Sequence, residues 1–229
     1  MPRQTWSDHI LSYYLCQSCN YVDTDARRMQ VNYACPRCGS PSPGGLSYFA
    51  LPIPTVGDLI GELHPLPELD SPNPSAKLPI PDSHKFALLV FFCTLAEVLL
   101  QHFLQRHMDS LAIPLPVQRR LLSDNSGVKR RLDNLFPSIV GVKWKDAVKT
   151  VSANSGKDFS QTVAFAAEAA AARNLLVHLG NQWAIPQEMP ERCFNETAPL
   201  VRLFVELHNA FLARPVNAAN PTNSSIPDA

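Results

Sequence analysis

The sequence predicts a mainly α-helical protein: a four-helix-bundle-like body behind a small N-terminal β piece built around cysteines. Three observations predict it. Four of the six cysteines stand in two C-x-x-C pairs between Cys16 and Cys38. From Ser83 onward the apolar residues recur with helical spacing. Ten of the 21 prolines lie between Pro41 and Pro81, against nine glycines in the whole chain of 229 residues. Prolines break helices and sheet ladders, so this concentration marks the boundary between the two parts.

Composition narrows the class. Hydrophobic residues make up 45%, enough for a real core and too many for wholesale disorder. Lys plus Arg and Asp plus Glu are each 20, so the net charge is zero. That excludes a uniformly basic nucleic-acid coat and an acidic solvating protein. The stretch Met1–His9 lacks the apolar run of a secretory signal. The most apolar stretch, Phe86–Leu100, contains Thr94 and Glu97 and is shorter than the roughly 20 residues of a membrane span. It reads as a buried core helix, and the expected location is cytoplasmic, away from membranes.

The elements follow in order. Residues 1–49 hold the cysteine-rich β piece. Residues 50–82 read as an extended, partly polyproline connector, because L-P-I-P occurs at Leu51–Pro54 and again at Leu78–Pro81. At most a short helix fits over Val56–Leu63. Residues 83–216 form the helical body. Its first helix is capped by Asp82 or Ser83 and runs to about Met108. Two shorter helices follow, near Val117–Ser123 and Val128–Phe136, with Pro137 stopping the second. Another long helix spans Phe159–Leu179, favoured by seven alanines between Ala164 and Ala172 and stopped at Gly180. A last helix covers Glu196–Ala213. Residues 217–229 are polar with prolines and are expected to be disordered.

Cys16-Gln17-Ser18-Cys19 and Cys35-Pro36-Arg37-Cys38 are separated by the fifteen residues Asn20–Ala34. Each pair makes a tight knuckle, and a hairpin between them brings four thiolates onto one ion. Four sulfurs complete a closed tetrahedral zinc site, so zinc is the expected structural cofactor. The segment 11–49 resembles a zinc ribbon. So short a piece cannot hold itself together by burial, which makes the metal its fold staple. Tyr13, Tyr14, Tyr21, Tyr33, Arg27, Arg28 and Arg37 add a second reading, in which aromatics beside cations stack nucleic-acid bases. Cys93 and Cys193 fall outside the pairs; Cys93 reads as a core residue.

The 159–179 helix carries Arg173-Asn174-Leu175-Leu176-Val177-His178. This resembles the HEPN superfamily of ribonucleases, whose signature is an arginine, a polar residue and a histidine a few positions on. The resemblance covers roughly residues 83–213. It implies a dimeric helical bundle that cleaves RNA without a catalytic metal, leaving 2′,3′-cyclic phosphate and 5′-hydroxyl ends. It also implies a place in toxin or antiviral defence, with a regulatory protein as a further partner. Arg3–His9 and Arg202–His208 are similar pairs with five residues between them instead of four, but Leu203 replaces the polar neighbour and Arg3 precedes the helical zone. HEPN toxins silenced by a nucleotidyltransferase carry a tyrosine two positions after the histidine. Here that position is Gly180, so control through that tyrosine is not expected.

The residue chemistry suits RNA cleavage. Histidine titrates where it can deprotonate a 2′-hydroxyl or protonate a leaving 5′-oxygen, and arginine forks onto a phosphorane. Five positions on a helix rotate by about 140°, so Arg173 and His178 do not share a face, whereas Asn174 and His178 do. A two-fold axis supplies two of each, which predicts a homodimer with Asn174 and His178 near the axis. Glu97, a lone acid among apolar neighbours, is expected to pair with Arg173. From Val117 to Lys157 the chain carries Arg119, Arg120, Lys129, Arg130, Arg131, Lys143, Lys145, Lys149 and Lys157 against three acids. That segment is expected to hold RNA phosphates. The alternative is a catalytically silent helical dimer whose ribbon binds protein or nucleic acid.

Overall fold

The computed structural model describes residues 13–24, 32–41, 46–49, 52–63, 82–179 and 185–213. Arg3, His9, Arg27, Arg28, the second L-P-I-P, Gly180 and the 217–229 tail lie outside the described residues, as do the side chains of Asp82 and Ser83.

The β piece has three strands in the order β2-β1-β3. The central strand β1 (Tyr14–Leu15) pairs antiparallel with β2 (Val22–Asp23) and with β3 (Leu46–Ser47). The β1–β2 turn is the first cysteine knuckle. An isolated bridge between Ala34 and Pro41 closes the second. Strands of two residues do not stand alone, so the piece depends on its cysteines and on what it packs against.

Helix α1 (Pro52–Leu63) contains the short helix allowed over Val56–Leu63 and corrects the extended reading of the residues just before it. The sequence suggests that no helix survives L-P-I-P, yet Pro52 and Pro54 sit in the first turn. There the backbone N–H groups have no intrahelical partner, and proline's missing donor costs nothing. Ile53, Pro54, Gly57 and Ile60 are buried, and α1 packs on α2 (Asp82–Ser110).

Helix α2 is the centre of the body. Leu88, Leu89, Phe92, Leu95, Leu99, Phe103 and Leu104 are fully buried. It packs on α1, on α7 (Ser160–Leu179) and on α8 (Met189–Phe211), and is therefore apolar around much of its circumference. Its segment His84–Ser110 is long and apolar enough to cross a membrane; in this fold it lines the core.

Helix α3 (Leu115–Asp124) leads to α4 (Val128–Arg130), a π-helical stretch (Arg131–Leu135) and α5 (Phe136–Val140). Pro137 does not stop the helix as expected. The Phe136 N–H reaches back five residues to the Arg131 carbonyl, and this wider turn makes room ahead of the proline ring. The run ends instead at Gly141, whose φ of 83° is the left-handed conformation of a helix C-cap. Helix α6 (Trp144–Ser155) is absent from the sequence reading altogether. Ala147, Val148 and Val151 give it a narrow buried stripe under a lysine-rich surface. Helix α7 agrees with expectation. Helix α8 begins at Met189, seven residues before the expected Glu196, because Met189, Pro190 and Cys193 belong to the core.

One hydrophobic cluster unites these elements. It contains Tyr13, Val22, Tyr48 and Phe49 of the β piece together with residues of α1, α2, α6, α7 and α8.

Candidate functional site

The cysteine knuckles are built alike. Asn20 N–H donates to the Cys16 carbonyl and Gly39 N–H to the Cys35 carbonyl, each at 2.8 Å. Cys16 N–H donates to Tyr21 and Cys35 N–H to Ser40. Asn20 and Gly39 each follow the second cysteine of a pair, and each has positive φ, 57° and 71°. This turn swings both thiols of a pair to one side. The four sulfurs lie within 4.8 Å of one another, with Cys16–Cys38 and Cys19–Cys35 each at 3.8 Å. Four sulfurs placed tetrahedrally about 2.3 Å from zinc are about 3.8 Å apart. All four cysteines are free of disulfides. The set thus fits a metal ion such as zinc, and four protein ligands leave no open coordination position.

Of the ribbon's aromatic and basic side chains, Tyr13 and Tyr14 are buried. The Arg37 guanidinium lies over the Tyr21 ring at 5.2 Å. Base stacking by Tyr13 and Tyr14 therefore has no exposed face to act through.

The Arg–His segment occupies the last turns of α7. A guanidinium Nη2 of Arg173 donates to the Glu97 carboxylate of α2. Its Nη1 donates to Asn174 Oδ1 at 3.3 Å. The pairing expected for Glu97 is thus present, at a half-buried position: the side chains are 25% and 42% exposed. A guanidinium has five N–H donors, so these two contacts orient Arg173 and leave donors for a phosphate. Cys93, one turn before Glu97, puts a buried thiol near the same guanidinium; burial pushes it up to about 11, so it stays protonated. Asn174 and His178 are exposed, on a different face from the inward-directed Arg173.

That outer face carries a signal missed in the sequence. Ala164, Ala167, Ala171, Asn174 and His178 are all exposed, and their spacing alternates three and four residues, which places them in one stripe along the helix. Leu175 and Val177 beside them are 41% and 58% exposed.

Of the basic residues, Arg119, Arg120, Lys129, Arg130, Lys143, Lys145 and Lys149 are exposed. Arg120 pairs with Asp124 at 3.6 Å, and Lys129 pairs with Asp133. Arg131 turns inward instead, where its Nη1 donates to Gln101 at 3.3 Å. The exposed cations are spread over α3, α4 and α6.

The second Arg–His spacing, on α8, serves the ribbon. Arg202 is paired with Glu206 at 2.6 Å and hydrogen-bonds Tyr13. His208 Nε2–H donates to the Asn20 carbonyl at 2.7 Å. Asn209 accepts from Val22 N–H and donates to Val22 C=O, both at 2.8 Å. The Tyr48 ring meets His208 and His102 edge-on at 4.6 and 5.1 Å. Beside this seam lies a cleft of ≈ 230 Å³ lined by Arg106, Asp109 and His208 among others.

No family model, curated protein or solved structure matches this chain.

Proposed function

We propose that the protein is a homodimeric endoribonuclease of HEPN type, cutting RNA to 2′,3′-cyclic phosphate and 5′-hydroxyl ends, with zinc as a purely structural ion in the ribbon. The observation that carries this reading is the Arg173 guanidinium, oriented by Glu97 and Asn174, in the same terminal turns of α7 as the exposed His178. His178 acts as general acid or base at the 2′- and 5′-oxygens, and Arg173 neutralises the phosphorane. The closed cysteine set leaves no coordination position for a substrate, so an ion held there would not take part in the cleavage.

Asn174 and His178 share the exposed small-residue seam of α7, while Arg173 faces α2. Pairing two such seams across a two-fold axis brings together two histidines, with an arginine held behind each. The exposed cations of α3, α4 and α6 supply phosphate contacts along the RNA. The place of such an enzyme is defence, as toxin or antiviral effector, under a regulatory protein.

The test is RNA cleavage by purified chain in excess chelator, wild type beside His178→Ala. We expect cleavage that survives the chelator long enough to be measured and is lost in the variant. Equal cleavage by both proteins overturns the assignment. No cleavage by either, with intact dimers, favours the silent module.

A further inference from the structure

The seam between ribbon and α8 is not needed for RNA chemistry, and its hydrogen bonds are unusually specific. Strand β2 is an edge of the small sheet, so its outward backbone groups lack a strand partner. Asn209 satisfies both the N–H and the C=O of Val22 at 2.8 Å, as one residue of an additional strand would. The preceding residue, His208, holds the carbonyl of Asn20, the left-handed residue that directly follows the ligand Cys19. The contacts of α8 are thus made to the backbone that leaves the first metal knuckle, directly after Cys19.

We propose that metal binding in the ribbon and the seating of α8 are one linked equilibrium, with Asn209 and His208 as the coupling residues. The convergence of Cys16 and Cys19 on a metal holds Asn20 at positive φ and aims its carbonyl at His208. Without the metal only the knuckle's own backbone bonds, Asn20 N–H to Cys16 and Cys16 N–H to Tyr21, hold that conformation, and a two-residue strand pair does not persist alone. Asn20 and Val22 then leave the seam. The carboxamide of Asn209 and the Nε2–H of His208 lose their partners in a site where His208 Nδ1 and the Tyr48 hydroxyl already have none. Leaving buried polar groups unpaired destabilises the folded body. The effect has a route inward, since α8 also holds α7 through Arg192–Glu168 at 3.0 Å and the Thr162–Glu196 hydrogen bond at 2.8 Å. Linkage is reciprocal, so the seated α8 tightens metal binding by the factor with which the metal tightens the seat.

The experiment uses the full chain and zinc as the probe. Asn209→Asp keeps the acceptor for Val22 N–H and replaces the donor with a carboxylate oxygen facing Val22 C=O. Asn195→Asp, on an exposed position of the same helix, controls for added charge. Competition with a chromogenic chelator gives zinc affinity, and ellipticity at the helical band gives the melting of the body. We expect Asn209→Asp to weaken zinc by about tenfold and the control to change it by less than about twofold. Zinc removal lowers the helical melting temperature of wild type, and lowers it less in Asn209→Asp. His208→Gln, whose amide N–H can still reach the Asn20 carbonyl, retains more affinity than His208→Ala. Wild-type zinc affinity in Asn209→Asp, or a helical transition that chelation does not move, overturns the proposal. If Asn209→Asp does not fold, the His208 pair and the chelation arm decide alone.

Discussion

At the scale of single residues, Glu97 and Arg173 separate a stabilising role from a positioning one. The pair is half-exposed, and ion pairs in that setting contribute less than about 1 kcal/mol. Glu97→Gln should therefore leave the melting curve almost unmoved. It removes the charge that orients the guanidinium, and on the proposed mechanism it should lower RNA cleavage at least about tenfold. Parallel melting and single-turnover measurements check both halves. His102 and His208 make a different case. Burial, with the nearby Arg106 charge, pushes both rings down to about 4 from an ordinary 6.5. His107, Asp109 and Tyr48 are the other titratable groups around them. Both rings are neutral in the folded protein at pH 7. Below about pH 6.5 the unfolded chain takes up protons that the folded chain refuses, so stability is full above that pH and falls as the pH drops toward 4. Urea midpoints measured across this window should decline, and His102→Gln, which cannot titrate, should decline less steeply.

At the scale of elements, what the sequence made legible follows physical rules. Helix α7 reads clearly because alanines raise its propensity along the whole length. The cysteine knuckles read clearly because metal geometry permits few spacings. The first turn of α1 is hidden by a rule applied without its exception, since prolines such as Pro52 and Pro54 end a helix only when they come after its first turn; the part over Val56–Leu63 is legible. Helix α6 was hidden by its surface, since Lys145 and Lys149 drew it into a charge run, although Trp144, Ala147, Val148 and Val151 stand at helical spacing. Pro137 reads as a stop in the sequence, yet the π turn ahead of it absorbs what an α turn cannot. The same run supplies a prediction. No atom lies within 4 Å of the place a Cβ would take on Gly141, so a side chain there meets backbone strain alone. Gly141→Ala should cost about 1 kcal/mol, and Gly141→Asn less, because asparagine tolerates the left-handed region. Denaturant midpoints of the two variants test this order.

At the scale of the whole molecule, the candidate site was legible in its residues and illegible in its surface. Arg173, Asn174, His178 and Glu97 can be picked out of the sequence; Ala164, Ala167 and Ala171 read there as helix propensity, and it is their exposure that marks them as a surface stripe. Alanine on an exposed seam lets two helices approach to the short end of the usual 8–10 Å range, about 8 Å. That approach is what the proposed homodimeric site, made of two α7 termini, needs, and the outcomes expected for variants of Ala171, Arg173 and His178 rest on that proposal. Ala171→Arg fills the seam with a long charged side chain and touches nothing buried in the single chain. It should give a monomer by light scattering, with an unchanged helical spectrum and melting temperature, and cleavage reduced by more than about a hundredfold. Complementation carries the argument further. Arg173→Ala and His178→Ala should each be inactive alone. Mixed and allowed to exchange subunits, they form heterodimers that hold one arginine and one histidine from different chains, and some cleavage should return. An active Ala171→Arg monomer, or a mixture as silent as its components despite subunit exchange, would remove the two-fold site from the mechanism.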